Sequence, residues 1–280
     1  MNPELKKDLQ KLALKIRIAE IEEFKALGFG HIGGSLSITD ALAVLYGAVM
    51  KVDPKNPKME DRDKLVCSKG HAGPAVYATL AIKGFFPYED IKTLNVPGTN
   101  FPSHCDRNKT PGVDMTTGSL GQGTSLAVGI ALGDKLKGLD SRTFLIVGDG
   151  ESDEGQVWEA AMFTGAKKIT NLIWLIDENK KQLDGYTSNI INQGDFVAKF
   201  KAFGFDAVRV NGNDVEQVYE AITAPIGDKP RAIVLDTVKG AGVREVEETM
   251  NNHSLTMPQE TYDRWLAELH SELDALEGEV

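Results

Sequence analysis

Cysteine is scarce in this 280-residue chain: Cys67 and Cys105 are the only two. They lie far apart and match no zinc or CxxC spacing, so neither a disulfide framework nor a thiolate metal site is implied. No uninterrupted apolar run approaches the roughly 20 residues of a membrane-spanning helix. The N-terminal stretch MNPELKKDLQKLALKIRIAE is charged and helix-patterned, unlike a signal peptide. A cytoplasmic, soluble protein is the expectation. Positive charge is also short: 31 Lys and Arg face 41 Asp and Glu, for a net charge of −10. That balance argues against nucleic acid or an anionic membrane as the main partner. An anionic ligand would need local help from helix N-termini, histidines or a cation. No G-x-x-x-x-G-K-[ST] occurs, which excludes a P-loop. What remains, 41% hydrophobic and 26% charged residues, is the composition of an ordinary globular protein.

The chain opens with LKKDLQKLALKIRIAEIEEFKALG, whose apolar spacing is helical and whose Gly28 is a helix stop. SITDALAVLYGAV reads as a second helix, with Ser37 or Thr39 near its cap. DKLVCSKGHAGPAVYATLAIKGFF reads as a short strand, a glycine-rich turn and a helix, and 95–118 as loop. Beyond this, wholly apolar strands (TFLIVGDG, NLIWLIDEN, RAIVLDTV, and the shorter DAVRV) alternate with helices. Such runs indicate a parallel sheet covered by helices on both faces. We expect one α/β domain over residues 1–280, closed by the amphipathic helix PQETYDRWLAELHSELDAL, which packs on the body or on a partner.

GFGHIG, residues 28–33, satisfies G-x-G-x-x-G but follows a helix rather than a strand, so a dinucleotide fingerprint is a poor reading. KGHAGP (69–74) and TGSLGQG (117–123), the latter opening a helix, are better candidates for backbone contact with a ligand.

VGDGESDEG (147–155) collects acidic side chains just past a buried strand. Asp149 falls at that strand's carboxyl end, where open parallel sheets bind ligands. One turn, one helix and one strand later, Asn179 falls at the same edge. If the two strands are neighbours, a carboxylate and an amide carbonyl converge, an oxygen pair suited to Mg²⁺ or Ca²⁺. Asp153 is expected to cap the following helix, with Glu151 and Glu154 complementing its dipole. Glu159 reads as part of a solvated face, and His270, on the last helix, as surface.

GDGESDEGQVWEAA followed by IDENKKQLDG resembles the thiamine diphosphate motif in its transketolase form. GFGHIGGSLSITDALAVLY, SKGHAGPAVYATL, VDMTTGSLGQGTSLAVGIA and KGAGV with NNHS are similar to transketolase landmarks in the same order. The resemblance runs nearly end to end but covers only the family's first domain, as in the N-terminal subunit of a split transketolase.

The resemblance implies the thiamine diphosphate-binding fold and a set of roles. His71 and His253 bind the diphosphate together with the Gly150 N–H. His31 and His104 face the substrate, and His253 joins them as a catalytic group. Asp149, Asn179 and the Lys181 main-chain carbonyl ligate Mg²⁺ (or Ca²⁺). Gly118 and Leu120 line the aminopyrimidine and thiazolium, with Ile191 adding to them. Glu154, counted with the cofactor site, and Glu159 match interface glutamates that link paired active sites.

The implied reaction transfers a two-carbon ketol unit from a ketose phosphate to an aldose phosphate. The glutamate that assists the cofactor, and most phosphate-reading arginines, belong to a pyrimidine-binding domain that is not recognisable here. The expected partner is therefore a C-terminal subunit carrying that domain, in an α₂β₂ assembly, with no activity from this chain alone. Rival readings are a deoxyxylulose phosphate synthase-like, sulfosugar or apiose ketol transferase, and a non-catalytic cofactor-binding subunit. TTGSLGQG and GHIGGSLS favour the transketolase branch. A subunit freed from catalysis would have no need of His31 and His104.

Overall fold

The computed structural model describes residues 1–278. Helix α1, Pro3–Leu27, starts on an Asn2 cap whose side chain accepts from the Glu4 N–H. It ends where Gly28 turns left-handed (φ 86°) and its N–H reaches the Phe24 carbonyl, as the sequence predicts. A short helix not expected from the sequence, α2, Ile32–Leu36, comes first, and the second predicted helix, 37–49, then forms as α3, Thr39–Val44, extended by a π-helical turn, Leu45–Val49, with Ile38 at its start. Neither Ser37 nor Thr39 caps. Their hydroxyls turn to buried carboxylates, Ser37 to Asp177 and Thr39 to Glu20. A hydrogen-bonded partner in the interior takes the place of the cap bond.

Five strands follow: β1 Lys64–Cys67, β2 Thr143–Gly148, β3 Leu172–Glu178, β4 Asp206–Asn211 and β5 Arg231–Asp236. They pair in parallel in the spatial order β1-β2-β3-β5-β4. Side chains alternate between two hydrophobic layers. Phe144, Ile146, Ile173, Leu175, Ile233 and Leu235 face a core shared with α1, α3 and α4 (Gly73–Ile82). Leu145, Val147, Trp174, Ile176 and Val234 face a second core beneath α5 (Gln122–Leu136), α6 (Gly155–Ala166) and α7 (Phe196–Ala202). This two-faced burial is why the central strands read as unbroken apolar runs. The edge strand β4 is mostly exposed, which accounts for its charged sequence.

Helix α8, Val215–Thr223, joins the first layer. The last helix, α9, Gln259–Gly278, lies along α1 and buries Tyr262, Trp265, Leu269 and Leu273. Its apolar stripe is thus used on the body of the molecule, while His270 is exposed as expected. Among the described residues no helix is long and apolar enough to cross a membrane.

Candidate active site

Strands β2 and β3 are neighbours, and their register places Gly148 opposite Asp177. The Asp149 N–H donates to the Asp177 carbonyl at 3.1 Å, so the two strand-end turns leave the sheet side by side. Asp149 and Asn179, both almost fully buried, come from adjacent turns to one cavity of about 240 Å³, with Lys181 two residues further on. All four landmark histidines line the same cavity.

They arrive on separate loops. His31 precedes α2, and His71 sits in a 3-10 turn, Gly70–Ala72, leading into α4. His104 lies in the long loop, and His253 precedes Leu255–Thr256, which pairs antiparallel with Phe29–Gly30. That short pairing ties the His31 and His253 loops together. Ring centroids are 5.3 Å apart for His31–His253, 4.8 Å for His71–His253, 5.6 Å for His31–His71 and 5.8 Å for His31–His104. Gly70 allows the loops to meet, because a Cβ there would lie 2.7 Å from the Gly118 nitrogen. Gly118, with φ 150°, in turn lies against the His104 ring.

The cavity is poised for an anion. Burial, then repulsion from Lys239, lowers the His253 imidazole to about 3. Burial and the nearby Lys69 ammonium hold His71 well below its ordinary value. His31 is lowered by burial and by His104, and His104 by burial. The imidazoles are therefore neutral at pH 7, each able to donate one hydrogen bond. Lys239 is brought down to about 8 by burial and by Lys69. Its Nζ donates to the Lys181 carbonyl at 3.0 Å and to His253 Nδ1 at 3.2 Å. An ammonium has no lone pair, so Nδ1 accepts and the imidazole hydrogen is assigned to Nε2.

On the acidic side, burial and then Asp177 push Asp149 up to about 7, against the pull of the Lys180 and Gly150 N–H groups at 2.5 and 2.7 Å. Burial would raise Asp177 as well, but the Lys69 ammonium at 2.6 Å together with the Thr237 and Ser37 hydroxyls holds this carboxylate below its ordinary value.

Asp149, Asn179 and Lys181 line one cavity, and the oxygens they can offer, a carboxylate, an amide and a main-chain carbonyl, suit a hard divalent cation. This set contains a single carboxylate; among the described residues no three His, Cys, Asp or Glu side chains gather into a metal site. A diphosphate also fits the residues present. Gln182 lines the cavity with a buried Nε2 that has no partner. Gly150 lies so close to Gln182 that a Cβ would come within 2.7 Å of its side chain.

Several expectations change. Ile191 is exposed and outside the cavity, whereas Leu183, missed in the sequence, lines it beside Leu120. Ile191 follows a short helix, Thr187–Ile190, that carries it away from the strand-end turn. Glu154 also stands outside the cavity, exposed at the start of α6, as is Glu159 within that helix. Asp153 does not cap α6; its carboxylate accepts from Gln193 Nε2. Glu151 is no surface dipole partner. It is buried against the cavity, where Oε1 accepts from Ser68 Oγ and from the Gly121 N–H at 2.9 Å, and Oε2 from the Gly148 N–H at 3.0 Å. Also missed were Lys69, Asp177 and Lys239. Lys69 and Lys239 stand inside quoted motifs, SKGH and KGAGV, and lysines beside glycines and histidines were the available signal. Gln182 carried none.

The chain matches the family model described as "Transketolase, thiamine diphosphate binding domain" over residues 9–265. It is 48% identical over 267 residues to the 6-deoxy-6-sulfo-D-fructose transketolase subunit SqwG of Clostridium sp. (strain MSTE9), covering 95% of this chain and 97% of the relative. Identity to one of the subunits of apulose-4-phosphate transketolase from Phocaeicola vulgatus is 35% over 274 residues, covering 97% and 96%. Among solved structures, Campylobacter jejuni transketolase superposes with a TM-score of 0.84 at 27% identity, over 99% of this chain and 48% of that one. Pichia stipitis transketolase with sedoheptulose 7-phosphate gives 0.83 at 26% identity, over 97% and 46%. The chain thus spans about half the length of the solved transketolases it matches and nearly all of the subunit-type relatives.

Proposed function

The chain belongs to the transketolase family, and from that premise we propose that it is the thiamine diphosphate-binding subunit of a two-chain ketol transferase, completed by a partner carrying the pyrimidine-binding domain. The observation that carries this is the convergence of four histidines from four loops on the cavity of Asp149, Asn179 and Lys181. The carbon–carbon chemistry is that of thiamine diphosphate when bound. Asp149, Asn179 and the Lys181 carbonyl would hold Mg²⁺ against the diphosphate, screening it from an acidic protein. His71, His253 (through Nε2–H) and the Gly150 N–H would donate to the phosphate oxygens, with Lys239 adding charge. His31 and His104, neutral at pH 7, would hydrogen-bond the sugar's carbonyl and hydroxyl oxygens and hold or pass protons there. The apolar rim of Leu120 and Leu183, 38% and 65% exposed, would exclude water once the partner covers it.

Residues 1–280 form a single diphosphate-binding unit on this reading, in an α₂β₂ assembly in the cytoplasm. The substrates are a ketose donor and an aldose acceptor bearing a terminal anionic group, phosphate or, as in the name of the 48%-identical relative, sulfonate. The test is ketol transfer with Mg²⁺ and thiamine diphosphate, using this chain alone and mixed with the product of the neighbouring reading frame. Donors are xylulose 5-phosphate and 6-deoxy-6-sulfofructose, with ribose 5-phosphate among the acceptors. Turnover is expected only in the mixture and is abolished by Asp149→Ala and His71→Ala. Turnover by the single chain would overturn the two-chain reading.

A further inference from the structure

Asp177 is completely buried at the end of β3 and is not part of the candidate donor set. Four side chains from four parts of the fold converge on it. Its Oδ2 accepts from Ser37 Oγ at 2.8 Å, Lys69 Nζ at 2.6 Å and Asn179 Nδ2 at 2.7 Å, and its Oδ1 accepts from Thr237 Oγ1. Ser37 follows α2, Lys69 follows β1, and Thr237 follows β5. Lys69 also donates to the Gly34 carbonyl at 2.6 Å, and a Cβ on Gly34 would lie 3.0 Å from His71 Nε2.

The contact with Asn179 differs in kind from the others. A side-chain amide has a donating end and an accepting end of nearly equal size, and packing alone distinguishes them poorly. An ionised carboxylate only accepts, so it takes the Nδ2 end and rejects Oδ1. Asn179 Oδ1 then points away from Asp177, where it meets the Lys181 N–H at 3.2 Å and keeps a second lone pair.

We propose that Asp177, held in place by Lys69, Ser37 and Thr237, is a positioning residue that fixes the amide orientation of Asn179 so that Oδ1 faces the cation. The inference rests on the reading that Asp149 and Asn179 hold a divalent ion. Outer partners of metal ligands commonly change metal affinity by about 10- to 100-fold when removed.

The test is Mn²⁺ binding, followed by electron paramagnetic resonance in the presence of thiamine diphosphate, on the full chain co-produced with its partner. Wild type is expected to bind, and Asp149→Ala to lose binding. Asp177→Asn, the same size but able to donate or accept, is expected to weaken Mn²⁺ by about 10-fold or more. The same change in an Asn179→Ala background should cost less than about 2-fold, because its effect acts through that amide. Thr237→Val, which removes one support and leaves the carboxylate's character intact, should stay within about 3-fold of wild type. Should Asp177→Asn fail to fold, the Lys69→Met/Asp177→Asn pair removes both charges at similar volume and is expected to show the same weakening. Retained Mn²⁺ affinity in the folded variant, with Asp149→Ala inactive in binding, overturns the positioning role alone. So does an equal loss with Asn179 already removed. Wild-type binding by Asp149→Ala would instead overturn the cation site and the inference with it.

Discussion

Lys239 is the residue on which the cavity's electrostatics turn. It holds His253 Nδ1 as an acceptor and, after burial, is the strongest influence lowering that ring. Replacing it by methionine keeps the volume and removes the charge. The His253 imidazole should then titrate closer to the ordinary range, and the apparent dissociation constant for thiamine diphosphate should rise by about 10-fold or more as a charge-assisted contact is lost. Imidazole nitrogen shifts in a pH titration measure the first effect and calorimetry the second; an unmoved His253 would show that burial alone sets its value. A second buried group acts on stability. Glu20 is pushed by burial to about 8, and Glu23 well above its ordinary value by burial and by Glu20. At Glu20 the folded chain therefore holds more protons than the unfolded one between about pH 4.5 and 8. The contribution of these glutamates to stability is greatest at the acid end of that window and falls as pH rises through it, by on the order of 3–5 kcal/mol. Glu20→Gln still accepts from Thr39 and no longer titrates. Its melting temperature should exceed the wild type's by a gap that widens from pH 5 to pH 8, measurable by scanning calorimetry. A constant gap would remove the titration from the explanation.

At the scale of elements, periodicity was readable wherever one physical requirement governed a segment. Apolar runs identify β2, β3 and β5 because both faces are covered, and the Gly28 end of α1 follows from capping chemistry. That Ile38, rather than Ser37 or Thr39, stands at the start of α3 was not readable. It depends on Asp177 and Glu20 drawing Ser37 and Thr39 inward, contacts made across 140 and 19 residues. Glu151 was misread for the same reason: only the fold reveals Ser68 and Gly121 beside it. Helix α6 offers a sharp test of element packing. A Cβ on Gly165 would fall 1.8 Å from the Phe203 carbonyl oxygen, so α6 and the end of α7 meet backbone to backbone. Gly165→Ala should destabilise the chain by about 1–3 kcal/mol, despite alanine's better helix propensity. Gly133→Ala in α5, with nothing within 4 Å, should instead leave the chain equal or about 0.5–1 kcal/mol more stable. Urea unfolding compares the two, and equal stabilities would show that the α6–α7 contact yields freely.

For the whole molecule, the candidate site was legible because its residues sit in short glycine-rich motifs at strand ends, where composition itself carries the chemistry. The fold adds which loops meet, and that is where Ile191 gives way to Leu183 as a lining residue. Outside the cavity, Leu126 on α5 and Met162 and Phe163 on α6 are 39%, 55% and 41% exposed. These helices pack on each other and present that face outward. In an acidic chain proposed to need a partner, exposed apolar side chains on two packed helices suit subunit contact. Phe163→Glu places a charge there, and the charge must be desolvated if the face is covered in the assembly. The variant is expected to fold as wild type does, to sediment as a smaller species when mixed with the partner, and to lose ketol transfer most severely at low protein concentration. Ile226→Glu supplies the comparison: Ile226 is 37% exposed in the connection between α8 and β5, outside α5 and α6. It should leave sedimentation and activity unchanged. If Phe163→Glu assembles and turns over like wild type, the α5–α6 face faces solvent in the working enzyme, and the subunits meet elsewhere.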